Sequence, residues 1–147
     1  MIRPEDVLAQ AESWVALPTE ADWRSAVSRA YYAAFHTARQ LLLDLGFRPP
    51  QGPQAHGYLW LRLSNCGDPT LSLTGADLNE LSRFRNRADY DIRVDIDPND
   101  AAAGVAMARR IIERLADGRV EPTRSQITPT IRYDERNVLQ NVTWQGP

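Results

Sequence analysis

The feature that most constrains the fold is one long segment with every mark of a helix. Thr19 and Asp22 form a variant of the capping box, and Gly46 supplies a left-handed stop after Leu45. Between these signals the segment carries a stripe of small residues: Ala26, Ala30, Ala33, Ala34, Thr37, Ala38 and Leu41. Because small side chains let helix axes approach closely, this pattern predicts a helix at the centre of an all-α bundle.

Helical signals recur in four further segments. They cover residues 4–17, 54–65, 74–90 and 98–117. The third of these is predicted to begin at Thr74, because Asp77 repeats the capping pattern three residues later. The last follows Asp97 and Pro98, which are a cap and a first-position proline, and it ends before Gly118. We therefore expect a bundle of four to five helices.

The C-terminal residues differ from the rest of the chain. At 147 residues the chain is of the size of one domain, and we assign residues 1–118 to the helical domain. Residues 119–147 contain Pro122 and Pro129 and no evident helical period, so we expect an irregular extension. Its apolar residues favour docking on the bundle or on a partner: Ile127, Ile131, Tyr133, Val138, Leu139, Val142 and Trp144.

Charge and composition exclude several classes of function. The net charge of -2 excludes a positive field over the whole protein, although a local basic patch is compatible with it. All 17 basic residues are arginine, whose guanidinium fork suits phosphates and carboxylates. Cys66 is the only cysteine, and no Cys/His cluster or glycine-rich phosphate loop occurs, so we expect no metal and no cofactor. Without a signal peptide or a membrane-spanning run, we expect a cytoplasmic protein.

Candidate site residues cluster in two segments, Ser28–His36 in the second helix and Arg83–Asp91 in the fourth. Tyr32 and His36 are four residues apart and share a helix face. Arg85 and Asp89 have the same spacing and can pair. From spacing alone, packed aromatic rings and a solvated helix end with Arg–Asp pairs are the simpler interpretation.

These segments, taken with His56-Gly57, nevertheless resemble the HEPN family. The sequence reads SRAYYAAFH over residues 28–36 and RNRADYD over residues 85–91. This is similar to small stand-alone bacterial HEPN proteins with an early AYYAAFH helix and a late ADY motif, and the resemblance covers roughly residues 20–117. It implies an all-helical bundle and a homodimer in which the motif helices of two subunits face each other. It also implies a relation to metal-independent ribonucleases and to toxins encoded beside a minimal nucleotidyltransferase antitoxin.

The resemblance also assigns site residues. The family's ribonuclease motif is an arginine, a polar residue, a short spacer and a histidine. Arg85 and Asn86 match the first two, but Asp89 and Tyr90 stand where the histidine would be. Cleavage by a ribose 2′-hydroxyl needs a base, so we expect His36 to lie within reach of Arg85 or Asp89, directly or through water. The expected catalytic residues are Arg85, Asp89, Tyr90 and His36, and the expected phosphate- or RNA-binding residues are Arg85, Asn86, Arg87 and Arg29.

Two functions remain open at this stage. The first is a HEPN-type protein of a toxin–antitoxin or defence module that binds RNA or a nucleotide-bearing partner, with ribonuclease activity undecided because the motif histidine is missing. The alternative is a catalytically silent, dimerising adaptor for a minimal nucleotidyltransferase. A plain helical interaction module is a third interpretation. In the first, Arg85 and Arg87 would hold phosphate in the dimer cleft, since the arginine fork makes bidentate phosphate contacts.

Overall fold

The computed structural model describes residues 1–147, and all of its regular structure is helical. The six α-helices are Pro4–Val15 (α1), Glu20–Leu45 (α2), Gln54–Ser64 (α3), Pro69–Tyr90 (α4), Pro98–Leu115 (α5) and Thr123–Asp134 (α6). A 3₁₀ turn, Ala116–Arg119, follows α5, and a π-helical turn, Glu135–Leu139, follows α6. The predicted all-α bundle is confirmed. No helix combines the length and the apolar character needed to cross a bilayer.

Helix α2 lies at the centre of the bundle, as its stripe of small residues predicts. It packs against α1, α4 and α5. All the alanines of the stripe and Leu41 are fully buried. The predicted cap is present, because the Thr19 hydroxyl accepts the Asp22 N–H at 3.3 Å. Gly46 ends the helix with φ 107°, and a Cβ there would lie 2.7 Å from the Trp144 indole nitrogen. Glycine is therefore required both for the turn and for the close approach of the C-terminal residues.

Helix α4 begins five residues earlier than its sequence predicts. Asp68 is the cap and accepts the Leu71 N–H at 3.0 Å, and Pro69 is the first helical residue. Thr74 is instead buried inside the helix, where its hydroxyl donates to a backbone carbonyl one turn earlier. The chain offers two start signals, and the earlier one prevails because it buries Leu71. Gly75 then brings α4 against α3, since a Cβ there would lie 2.6 Å from the backbone nitrogen of Ser64.

The prediction of an irregular extension is wrong for residues 123–139. Ile127 and Ile131 are one helical turn apart and both are buried in the main core. Pro129 lies inside α6 and removes one backbone hydrogen bond, which the burial of the two isoleucines offsets. A stripe of only two apolar residues, interrupted by a proline, is too short to be recognised from sequence. Within the extension, residues 120–122 and the last eight residues, 140–147, are without regular structure.

A buried ion pair ties the extension to the bundle. The Nε of Arg62, on α3, donates to Glu135 at 2.8 Å, and the two side chains are 3% and 0% exposed. Glu135 also accepts the Thr143 hydroxyl at 2.6 Å and the Trp144 N–H at 3.2 Å. The Trp144 indole donates to the Leu45 carbonyl at 3.0 Å. The C-terminal residues are thus part of the folded unit.

Candidate functional site

The structure brings the two motif segments together around Arg85. One terminal nitrogen of its guanidinium donates to the Tyr32 hydroxyl at 2.9 Å, and its Nε lies 2.8 Å from a carboxylate oxygen of Asp89. The Ser28 hydroxyl donates to the same carboxylate at 3.1 Å. Asn86 accepts a weaker bond from Arg85 at 3.3 Å. The cluster therefore joins residues of α2 and α4 that are more than 50 positions apart in the sequence.

Three tyrosine rings surround the Arg85 guanidinium. Its central carbon lies 5.2 Å from the ring centre of Tyr32, 5.6 Å from that of Tyr90 and 5.8 Å from that of Tyr31. Distances of this size are typical of cation–π contacts. The Arg85 side chain is only 12% exposed, and its Nε–H makes no hydrogen bond despite the nearby carboxylate. Arg85 is thus largely enclosed, and Asp89 balances its charge.

His36 lies elsewhere. It is exposed and stacks on Tyr32 with ring centres 6.1 Å apart, but it makes no hydrogen bond with Arg85 or Asp89. It lines a separate groove of about 750 Å³ together with Arg39 and the end of α5. The expected direct contact with the motif is therefore absent. The reason is that α4 contacts α2 at Tyr32, whereas His36 lies one turn further along α2, beyond this contact.

A second histidine, His56 in the first turn of α3, is linked to Arg85 through Tyr31, whose ring centre lies 5.8 Å from the Arg85 guanidinium. The Nδ1 of His56 is hydrogen-bonded to the Tyr31 hydroxyl, and the His56 ring packs 4.9 Å from the ring centre of Phe35. Burial lowers the pKa of His56, and the positive charge of Arg85 lowers it further. A histidine with a lowered pKa is neutral at pH 7 and can act as a base. Sequence reasoning did not select His56 as a site residue, and its only signal was its place in the family resemblance.

The lowered pKa of His56 makes stability depend on pH. Above the unfolded value of about 6.5 the histidine is neutral in both states. As the pH falls below that value the unfolded chain takes up a proton before the folded chain does, so the free energy of unfolding decreases until the folded pKa is passed. We expect His56→Gln to lose less stability than the wild type between pH 7.5 and pH 5 in urea unfolding.

His36 is the matched comparison for this experiment. Burial and the charge of Arg39 lower the pKa of His36 too, so His36→Gln should remove a separate part of the same pH dependence. If His56→Gln loses as much stability as the wild type over this interval, the neutral state assigned to His56 is wrong.

An open depression of about 520 Å³ lies at the C-terminal end of α4, and it is lined by Asn86, Arg87, Tyr90, Asp91, Ile92 and Arg93. The Tyr90 ring is 74% exposed there. Arg87 is exposed, forms no ion pair, and lies 5.4 Å over the Phe84 ring. A free aromatic face beside an unpaired guanidinium can stack on a base and bind a phosphate.

The remaining predicted phosphate ligand, Arg29, is exposed on α2 and makes no hydrogen bond or ion pair within the chain. The structure thus brings Arg85, Asn86, Asp89 and Tyr90 together. It leaves Arg87 and Arg29 free. No group of three or more His, Cys, Asp or Glu side chains is arranged to hold a metal ion.

Arg24 positions the end of α4, a role that nothing in the local sequence indicates beyond its spacing from Glu20. One of its terminal nitrogens donates to the carbonyls of Ala88 at 2.9 Å and Asp91 at 3.1 Å, and the other donates to the Val94 carbonyl. Its partner Glu20 lies 3.0 Å away. Four carbonyl contacts from one guanidinium, counting a longer one to Arg87, fix the chain direction after Tyr90.

Comparison with known proteins places this arrangement in a family. No curated protein and no solved structure matches the chain. The family model of the HEPN domain matches residues 6–118, which is more than half of the chain. The matched region includes α2, α4 and His56, and it ends before α6. The chain therefore belongs to the HEPN domain family.

Proposed function

We propose that this chain is an RNA-binding HEPN protein of a toxin–antitoxin or defence module, and that it binds RNA at the C-terminal end of α4. Family membership supports a role connected with RNA or nucleotides. The observation that carries the proposal is the depression in which Tyr90, 74% exposed, lies beside the unpaired Arg87. Stacking on an aromatic face tolerates any base, so the site suits single-stranded RNA without strict sequence preference.

Arg85 has a supporting role in this proposal. Its guanidinium is already paired with Asp89 and bonded to Tyr32, so a phosphate must displace Asp89 to reach it. Its cation–π contact also orients the Tyr90 ring. The outer phosphate contacts therefore fall to Arg87, Asn86 and Arg29.

Metal-independent cleavage would require a base near this cluster, and His56 is the residue that we assign to it. His56 is hydrogen-bonded to Tyr31, whose ring centre lies 5.8 Å from the Arg85 guanidinium. Burial and the charge of Arg85 lower the pKa of His56. Asp89 is occupied in its ion pair, and His36 lines another groove. In any RNA that the wild type cuts, His56→Ala should abolish cleavage, whereas His36→Ala should leave it.

Tyr90→Ala tests the proposed stacking. Stacking on one aromatic side chain contributes about 1–3 kcal/mol, which corresponds to a roughly 5- to 150-fold change in affinity. We expect a loss in that range when labelled single-stranded RNA is titrated with the full chain and followed by fluorescence anisotropy. Tyr133→Ala is the matched control, because Tyr133 is 66% exposed and lies in the C-terminal extension. Equal affinity of Tyr90→Ala and the wild type would exclude Tyr90 from the site.

A second candidate function is the dimerising adaptor for a nucleotidyltransferase. The observation that favours it is the neutralisation of Arg85 by Asp89, which weakens the attraction of the motif for phosphate. An adaptor would bind the nucleotidyltransferase and would show no affinity for RNA even at low salt.

Both candidates include a homodimer in which the motif faces of α2 and α4 meet across a two-fold axis. Such an axis brings the two copies of Arg85 to one cleft. We expect sedimentation velocity at micromolar concentration to give the mass of two chains. A sedimenting species of one chain at these concentrations would contradict the proposed assembly.

A further inference from the structure

A second polar pocket lies where the end of α3, the start of α4 and α6 meet. Its volume is about 490 Å³. The side chains that line it include Ser64, Asn65, Ser72, Thr130, Tyr133, Asp134 and Val138. No arginine or histidine is among them, so the only charge that faces this pocket is the carboxylate of Asp134. The pocket shares no lining residue with the depression at the end of α4.

Asp134 has an unsatisfied carboxylate. Asp134 is only 7% exposed, and its Oδ2 is buried without a hydrogen-bond partner. Buried polar atoms in folded proteins almost always have such partners. An acceptor left unpaired in this way favours a donor that arrives from outside the chain.

The charges around Asp134 do not balance. Glu135 and Arg62 are buried beside it and form a one-to-one ion pair. The three nitrogens of the Arg62 guanidinium are already directed to other acceptors, namely Glu135, the Tyr58 carbonyl and the Asn141 carbonyl. None of these three bonds reaches Asp134. Two buried carboxyl groups therefore share one guanidinium, and Asp134 is the one that has no hydrogen bond to it.

We propose that this pocket binds a small organic cation, with a guanidinium or ammonium head on Asp134 and an alkyl portion against Tyr133 and Val138. The Tyr133 and Val138 side chains are each 66% exposed at the rim, where they offer an aromatic face and an apolar edge. A single carboxylate supplies too few ligands for a tightly held Mg²⁺ or Ca²⁺. The pocket is also much larger than a bare ion requires. Burial raises the pKa of Asp134, and the charge of Arg62 only partly opposes that shift.

Agmatine, which has a guanidinium and an ammonium group, is a suitable probe. We expect saturable amide shifts at Ser64, Thr130 and Tyr133 when the full chain is titrated with agmatine in NMR. Asp134→Asn keeps the shape of the side chain and should weaken binding about tenfold or more, because one charge-assisted hydrogen bond is lost. Asp117→Asn removes an exposed carboxylate from the 3₁₀ turn and should leave the affinity unchanged.

Several results would overturn this inference, whatever the outcome of the RNA experiments. They are the absence of saturable shifts in the wild type, undiminished binding in Asp134→Asn, equal shifts with the neutral analogue 1-pentanol, and saturation of the same site by MgCl₂. Tyr133→Ala provides a second variant that leaves the core intact. It should weaken agmatine binding severalfold, and an unchanged affinity would also count against the site.

Discussion

Glu135→Gln is expected to lower the free energy of unfolding by about 3–5 kcal/mol, the typical effect of removing one partner of a buried ion pair. Arg62 and Glu135 are almost fully buried, so Arg62 would remain as a buried charge without its carboxylate. The same substitution weakens the acceptor for Thr143 and Trp144, so the attachment of the last eight residues should weaken. Urea unfolding at pH 7 measures the effect.

Glu113→Gln is the control for this variant. Glu113 is exposed on α5 and forms no ion pair, so its substitution should change stability by about 0.5 kcal/mol or less. The double variant Arg62→Met/Glu135→Leu should recover part of the loss, because it removes both charges of the pair. A change of less than about 1 kcal/mol in Glu135→Gln would show that the pair does not hold the C-terminal extension.

Removal of Arg29 and Arg87 is expected to reduce both the affinity for single-stranded RNA and its dependence on salt. Each lost phosphate contact should flatten the slope of log affinity against log salt by roughly 0.7. Arg29→Ala/Arg87→Ala should therefore flatten it by about twice that amount and weaken binding almost equally for different sequences. Anisotropy titrations between about 50 and 200 mM salt provide both quantities.

Arg136→Ala is the matched control, because Arg136 is exposed in the C-terminal extension and is unpaired. Arg136→Ala lowers the net charge of the protein by the same amount as Arg29→Ala or Arg87→Ala alone. If Arg136→Ala changes the slope as much as Arg87→Ala does, the attraction is diffuse, and the surface at the end of α4 has no special part in it.

Local signals in the sequence predict the centre of the fold well. The cap at Thr19, the stop at Gly46 and the alanine stripe define α2 without reference to any other part of the chain. Two capping signals compete at the start of α4, and the choice between them depends on the burial of Leu71 by other helices. The sequence does not reveal α6, because the stability of this helix comes from docking on the core rather than from its own composition.

Contacts between residues far apart in the chain cannot be predicted from the local sequence. Arg62 and Glu135 are 73 positions apart, and nothing near either residue indicates the other. For the candidate site, the family resemblance names both motif segments, and the structure joins them through the bond from Arg85 to Tyr32. The choice of His36 over His56 followed from the shared helix face of Tyr32 and His36. Which residues of α2 and α3 face Arg85 depends on helix packing, and this geometry links His56 to Arg85 through Tyr31.

NMR mapping with RNA tests the central claim most directly. A short single-stranded RNA would be added to the full chain at low salt while the backbone amide shifts are followed. We predict saturable shifts at residues 85–93 and at Arg29, with residues 123–147 unaffected. The absence of saturable shifts, or shifts confined to residues outside α2 and the end of α4, would contradict RNA binding at this surface and leave the adaptor function as the better account.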